Sequence, residues 1–314
     1  MDRRTFGSVP SRRLGRSLGV NNIPHKICTY SCLYCQIGKA VKMQVDRREF
    51  YKPEKLADEV KMILDNIQDK NDFPDYITIV PDGEPTLDIN LGKLITMLKS
   101  TGTPVAVITN GSLMSYPDVR EDLHKADYVS VKADVFDIGK WKLLNKPHKG
   151  LVLNEIINGV RSFAEEFTGK LITETMLIKD INDSDSDLKN TVQHILIYKP
   201  DTAYIAIPTR PPAYKEAIPS DENSVNRAYY IFKEHIAKVE LLTGYEGNAF
   251  ASTGNFSEDL LSITAVHPMR EDAILELLKK SDGHINMLTE LISNKLIEKI
   301  EYKNHNYYLR KFSR

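Results

Sequence analysis

An open, partial (β/α)6 barrel of the α/β class, with a small winged-helix-like domain at its C-terminus, is the fold that this 314-residue sequence predicts. Three observations point to it. Short apolar runs rich in β-branched and aromatic residues alternate with segments of helical period, the signature of repeated βα units rather than of a sandwich or a bundle. Six such runs can be counted, enough for an open barrel. Near residue 262 the alternation stops, and helices followed by one hairpin take its place.

The predicted strands are "RSLGVNNI" from Arg16, "YITIV" from Tyr76, "PVAVIT" from Pro104, "YVSVKA" from Tyr128, "LITETML" from Leu171 and "AYIAIP" from Ala203. Between them lie amphipathic stripes. Leu56, Val60, Ile63, Leu64 and Ile67 recur at helical spacing behind Pro53, a residue suited to a first helical turn. Leu91, Leu94, Ile95 and Leu98 repeat the pattern, as do Ile156, Ile157, Val160 and Phe163, and Leu188, Val192, Ile195 and Leu196. "PTRPPAYKEAIPS" reads as an ordered crossing loop, followed by a helix over about residues 222–241 and then "GYEGNAF". Residues 1–262 are thus expected to form the barrel with its extension, and residues 263–314 the small domain. In the latter, "HPMREDAILELLKK" makes a helix, "SDGH" a turn, "INMLTELISNKL" one helix or two, and "IEKIEYKNHNYYLRKF" a hairpin tipped by Asn304 to Asn306.

With 41% hydrophobic and 27% charged residues, the composition is that of an ordinary globular protein. The N-terminal stretch offers charge but no apolar core of a signal peptide, and no run approaches the roughly 18 apolar residues of a membrane span. A soluble, cytoplasmic protein with no membrane partner is the expectation. The net charge of −1 hides an asymmetry, since residues 1–48 carry ten Lys/Arg against two Asp. That segment suits nucleic acid, a phosphorylated substrate or an anionic cofactor, or it is a solvated basic face. Residues 295–314 carry six Lys/Arg against two Glu, which suits a nucleic-acid contact, although winged helices also serve as protein docking modules.

All three cysteines, Cys28, Cys32 and Cys35, fall within "CTYSCLYC". An odd number so closely spaced is no framework of structural disulfides. The spacing brings three sulfurs toward a common point. A zinc ion with His25 as fourth ligand is one use of them. A 4Fe–4S cluster with one iron left open is the other, and the C-terminal end of the first barrel strand is where β/α barrels gather catalytic groups.

With Tyr34 just before the last cysteine, this loop resembles that of the radical S-adenosylmethionine (SAM) superfamily. The resemblance implies that the open iron chelates the amino and carboxylate groups of SAM. It further implies that one electron cleaves a carbon–sulfur bond, giving methionine and a 5′-deoxyadenosyl radical. "PDGEPTL" after the second strand matches the family's Gly-Glu motif. There Gly83 would let the backbone approach the cofactor, and Glu84 would accept from the SAM ammonium. Asn110 and Gly111 follow the third strand, and Ser130, Lys132 and Asp134 lie along the fourth, where the family places groups against the SAM ribose and carboxylate. Lys132 could equally pair with Asp134 or face solvent. Pro208 in "AIPT" corresponds in position to the segment whose backbone reads adenine.

"GSVPSRRLGRSLGV", "CLYCQIG", "GEPTL", "NKPHKGL", "IKDINDS" and "PTRPP" resemble a branch related to archaeal wyosine (4-demethylwyosine) synthases, which modify phenylalanine tRNA. The chain departs from them in having no cysteine before Cys28 for a second cluster, so that a pyruvate-binding amine such as Lys39 or Lys42 would act alone. Arg12, Arg13 and Arg16 could bind phosphate or a carboxylate, or form a structural network. Arg210 follows the sixth strand, with two prolines fixing its backbone, and is a catalytic candidate with Lys132 and Glu174. Lys179 and His148 are further candidates. The function expected is radical modification of an RNA base, tRNA first, with the C-terminal domain gripping the polynucleotide. The alternatives are a protein side chain or small metabolite as substrate, and a zinc-containing DNA-binding regulator without catalysis. A ferredoxin or flavodoxin electron donor and oxygen sensitivity follow from the cluster.

Overall fold

The computed structural model describes residues 4–67, 72–244, 247–248 and 250–311. In chain order its elements are β1 (Thr5–Ser11), β2 (Gly15–Val20), β3 (Ile27–Cys28), β4 (Lys42–Met43), α1 (Pro53–Asp65), β5 (Tyr76–Ile79), α2 (Leu91–Lys99), β6 (Val105–Thr109), α3 (Pro117–Leu123) and β7 (Tyr128–Lys132). These are followed by α4 (Ile138–Leu144), α5 (Leu153–Glu166), β8 (Lys170–Met176), α6 (Asp185–Tyr198), β9 (Thr202–Ala206), α7 (Glu222–Lys233) and β10 (Val239–Leu242). The last elements are α8 (Phe256–Val266), β11 (Met269–Arg270), α9 (Glu271–Lys280), α10 (Ile285–Ser293), β12 (Ile297–Tyr302) and β13 (His305–Arg310).

Eight strands form one curled half-barrel sheet in the order β1-β2-β5-β6-β7-β8-β9-β10. All neighbours are parallel except β1 and β2, which form an antiparallel hairpin. Parallel strands covered on both faces are apolar at nearly every position, and every residue of β9 is buried accordingly. Two layers flank the sheet. Outward-facing Val129 and Val131 of β7 join the stripes of α1, α2 and α5 in the main core, whereas Tyr128, Ile172, Tyr204 and Leu242 fill the barrel interior with Leu14. Among the predicted helical stripes, Leu91, Leu94, Ile95 and Leu98 are fully buried, but Leu196 is 40% exposed.

The six predicted strands correspond to β2 and β5 to β9, and the structure adds one at each edge. β10 overlaps the end of the span expected to be helical, because α7 ends at Lys233. Phe232, Ile236 and Val239 keep apolar residues at helix-like spacing through the turn, so periodicity alone cannot separate a four-residue strand from more helix. β1 was missed because Gly7, Ser8, Pro10 and Ser11 interrupt its apolar pattern.

The C-terminal residues form a three-stranded antiparallel sheet, β11-β13-β12, packed with α8, α9 and α10. The expected boundary at residue 262 falls within α8. Phe256, Leu260 and Ile263 of that helix share one apolar cluster with Ile274, Leu288 and Tyr308 of the module and with Phe6 and Val9 of β1. The hairpin is tipped by Lys303 and Asn304, both in the left-handed region, one residue earlier than expected. It is docked on the barrel mouth: Tyr302 donates to the carbonyl of Pro208 (3.2 Å) and Tyr307 to that of Thr209 (2.9 Å).

Candidate active site

β2 delivers the chain to the cysteine loop at the C-terminal end of the barrel, and two-residue strands β3 and β4 pin its ends together at Ile27–Lys42 and Cys28–Met43. Within it, Cys35 N–H donates to the Cys32 carbonyl (3.2 Å) and Gly38 N–H to that of Cys35 (3.1 Å), winding the chain so that all three thiols line one cavity. Burial pushes each thiol up, Cys28 well above its ordinary value and Cys32 to about 12. As bare groups they are therefore protonated, and a coordinated metal would have to displace those protons. Asn145 donates to the sulfur of Cys32 (3.5 Å) and Asn110 lies 3.7 Å from that of Cys28. Such donors to sulfur tune an iron–sulfur centre.

Three thiols lining one cavity are a donor set suited to a metal centre. No three His, Cys, Asp or Glu side chains among the described residues stand close enough to hold one ion. A zinc ion would need sulfurs roughly 3.8 Å apart, given a Zn–S bond of about 2.3 Å. A cubane cluster binds each thiolate on a different iron, so its ligands stand wider. His25, the candidate fourth zinc ligand, is held by Asp82 at 2.5 Å and does not line the cavity.

β5 ends at Ile79 and leads through Pro81 and Asp82 to Gly83 and Glu84. A Cβ at Gly83 would overlap the Ile27 carbonyl oxygen, which accepts from Glu84 N–H (3.2 Å). The small residue is thus required by the backbone entering Cys28. Gly83→Ala should force this contact apart, costing roughly 1–3 kcal/mol of stability. Lower iron content after reconstitution, together with a lower denaturation midpoint, would show it.

Glu84 is buried, and Oε1 accepts from Thr86 N–H (3.2 Å), Thr86 Oγ1 (2.6 Å) and Thr109 Oγ1 (2.6 Å), Oε2 from Asn110 N–H (2.9 Å). Burial raises its carboxyl above the usual range despite these bonds. With about four lone-pair sites on a carboxylate, its remaining acceptor capacity lies on Oε2.

Opposite, Lys132 at the end of β7 forms an ion pair with Glu174 of β8, which also pairs with Arg13 from the β1–β2 turn. Burial pushes the Lys132 ammonium down to about 8. Its partner is Glu174, whereas Asp134 accepts from Tyr34 and from Asn145 (2.9 Å). Lys132 lies 5.5 Å from the Tyr34 ring centroid, so the aromatic residue of the cysteine loop is fastened to the barrel by a hydrogen bond and a cation–π contact.

The structure brings Cys28, Cys32, Cys35, Tyr34, Gly83, Glu84, Asn110 and Lys132 around one cavity. Four other candidates stand apart from it. Ser130 is buried one layer below Lys132 on the same face of β7. Glu174 is the counter-ion of Arg13 and Lys132. Pro208 gives its carbonyl to Tyr302 and Lys303 of the hairpin. Arg210 lines an adjoining cavity, bonded to Gln36 and to His267 (3.0 Å). Of the other basic candidates, Arg16 is tied to Asp72 (2.6 Å), Lys39 lies over the Tyr214 ring and His148 accepts from Gly150 within its own turn. Sequence reasoning missed Asn145, Gln36 and His267. Gln36 and Asn145 lie in "CLYCQIG" and "NKPHKGL", stretches that the resemblance had marked, whereas His267 arrives from a distant segment with no such signal.

The family model of the radical SAM superfamily matches residues 22–194. The UPF0026 protein MJ1312 of Methanocaldococcus jannaschii is 41% identical over 307 residues, spanning 97% of this chain and 95% of that protein. A UPF0026 protein of Helicobacter pylori is 31% identical over 289 residues, covering 90% and 91% of the two chains. Among solved structures, TYW1 with a lysine-pyruvate adduct bound shares the fold at a TM-score of 0.53, with 16% identity over 71% of this chain and 76% of that one.

Proposed function

Because the chain belongs to the radical SAM superfamily, we propose that it is an enzyme that holds a 4Fe–4S cluster on Cys28, Cys32 and Cys35 and binds SAM in the cavity beside them. The observation that carries this reading is the convergence of the three thiols with Glu84, Asn110 and Lys132 on one cavity at the C-terminal ends of the strands. When bound, the cluster and SAM supply one-electron cleavage of a carbon–sulfur bond and a 5′-deoxyadenosyl radical able to take hydrogen from an unactivated C–H bond. The chain's own work is placement and shielding. Glu84 offers an acceptor to an ammonium, Lys132 a cation to a carboxylate, and the ring of Tyr34 an apolar wall. Asn110 and Asn145 keep donors aimed at sulfur. The electron comes from an external donor of the ferredoxin or flavodoxin type in an oxygen-poor cytoplasm. No helix among the described residues is long and apolar enough to cross a membrane.

For the substrate, an RNA base, tRNA first, is the reading we carry from the sequence, supported by the basic first segment and the TYW1-like barrel. A small metabolite is the second reading, and one observation favours it: Tyr302, Lys303 and Tyr307 of the basic hairpin are engaged with the barrel's Pro208 and Thr209 carbonyls. The zinc-containing regulator is set aside on family membership. Anaerobic reconstitution with iron and sulfide, then SAM and dithionite, should yield 5′-deoxyadenosine by mass spectrometry. Adding tRNA or a metabolite extract should raise the rate with one of them only. Absence of product from cluster-loaded protein that also fails to bind SAM would refute the radical reading.

A further inference from the structure

The cysteine loop has a side that faces its cavity and a side that does not. Lys39, Val41 and Lys42, at the end of the loop, lie outside the cavity lining. Alongside the loop runs the connection from α4 to α5. Pro147 forms a bridge with Tyr30, His148 N–H donates to the Thr29 carbonyl (2.8 Å), and Ser31 N–H donates to the carbonyls of Asn145 and Lys146 (both 3.1 Å). Residues 26–45 contain three lysines and residues 145–151 two, with no Asp or Glu in either stretch.

Tyr214 joins the two segments. Its N–H donates to the Leu33 carbonyl (3.1 Å), and its ring centroid lies 4.4 Å from Lys39 Nζ and 4.9 Å from Lys146 Nζ. Such contacts hold the two ammonium groups in place without neutralising their charge. Lys39, Lys42 and Lys149 are exposed and Lys146 is half-buried, and none of the four forms an ion pair among the described residues. By contrast, exposed Lys93 and Lys99 on the helical layer are paired with Glu54 and Asp127. Val41, flanked in the chain by Lys39 and Lys42, is 75% exposed. An apolar side chain among cations suits a protein partner with an acidic rim, because a polynucleotide backbone offers that valine only phosphate and sugar.

We propose that this outer face of the cysteine loop is the docking surface for an acidic one-electron carrier protein, whose electron enters through the loop while the cavity is filled. The assignment rests on the radical SAM reading above and gives its electron donor a contact face. Transfer moves one electron from the reduced carrier to the metal centre, and no bond is made or broken in that step. Unpaired lysines steer an anionic partner on arrival, and a small, charge-rich contact lets it leave once oxidised, as short-lived redox encounters require.

The test uses the full-length, cluster-loaded protein under anaerobic conditions, with a flavodoxin of net negative charge and its reductase as the probe. In the double variant Lys146→Glu and Lys149→Glu, flavodoxin affinity measured by calorimetry should fall at least about ten-fold. Formation of 5′-deoxyadenosine driven by subsaturating flavodoxin should fall with it, whereas the dithionite-driven rate should stay within about two-fold of the parent's. In the unaltered protein, flavodoxin affinity should weaken as salt is raised, a measurement that needs no variant to fold. Equal flavodoxin binding by parent and variant, or binding insensitive to salt, would overturn the docking face. So would a double variant that loses affinity for tRNA while flavodoxin binding is intact, since the face would then belong to a polynucleotide. The two readings fail separately: dithionite-driven product without flavodoxin binding refutes the docking face alone, whereas cluster-loaded protein that neither forms product with dithionite nor binds SAM refutes the radical reading.

Discussion

Cys32→Ala should abolish 5′-deoxyadenosine formation, a fall of at least about a thousand-fold to the uncatalysed background. The chain has three cysteines, all in this loop, so no spare thiol can take over the lost ligand. Cys32 also carries the contact to Asn145, a residue that reaches it across 113 positions of sequence. The fold should survive the change, because Cys32 is only partly buried and packs against the main core rather than within it. The expected picture is a protein with the circular dichroism of the parent, lacking the visible iron–sulfur absorbance. Iron retained at parental stoichiometry with product still formed would show that the third ligand lies elsewhere.

Glu174→Ala should be the most damaging change to stability in the barrel interior, by about 3–5 kcal/mol, the usual cost of removing one partner from a buried ion pair. The side chain is 6% exposed and sits between Arg13, at 19%, and Lys132, at 21%. Its removal leaves two cations facing each other with their common counter-ion gone. Combining Glu174→Ala with Lys132→Met should cost less than the sum of the single changes, because the second removes one of the stranded charges. Urea denaturation of the single and double variants measures both effects. A loss within about 0.5 kcal/mol for Glu174→Ala would mean that solvent reaches the trio freely.

Much of this was legible in the sequence for physical reasons. The helices that pack outside the barrel carry their apolar residues at helical spacing over successive turns, and the central strands are continuously apolar because both faces are covered. The cysteine loop and Glu84 were legible because metal ligation and buried carboxylates need particular residue types at particular places. What escaped was what depends on long-range pairing. Whether Lys132 meets Asp134 or Glu174 is decided by the register of β7 against β8, which aligns Lys132 with Glu174. The Ser130 hydroxyl could not be assigned a depth before the strand's position in the barrel was known. The carbonyl of Pro208 was read as a cofactor contact, and only the docked hairpin reveals its other partner. At Gly83 the structure adds a close backbone neighbour, Ile27, that distance in sequence had hidden.

Phe6 and Val9 bury their side chains against residues that follow them by about 250 positions or more, a very long loop to close. On the ribosome, where earlier residues emerge first, most of the native cover of Phe6 and Val9 is missing until α8, α9 and α10 have been made. A nascent chain stalled before Phe256 would therefore carry that part of the first hairpin's surface uncovered, as a site for chaperone capture or aggregation.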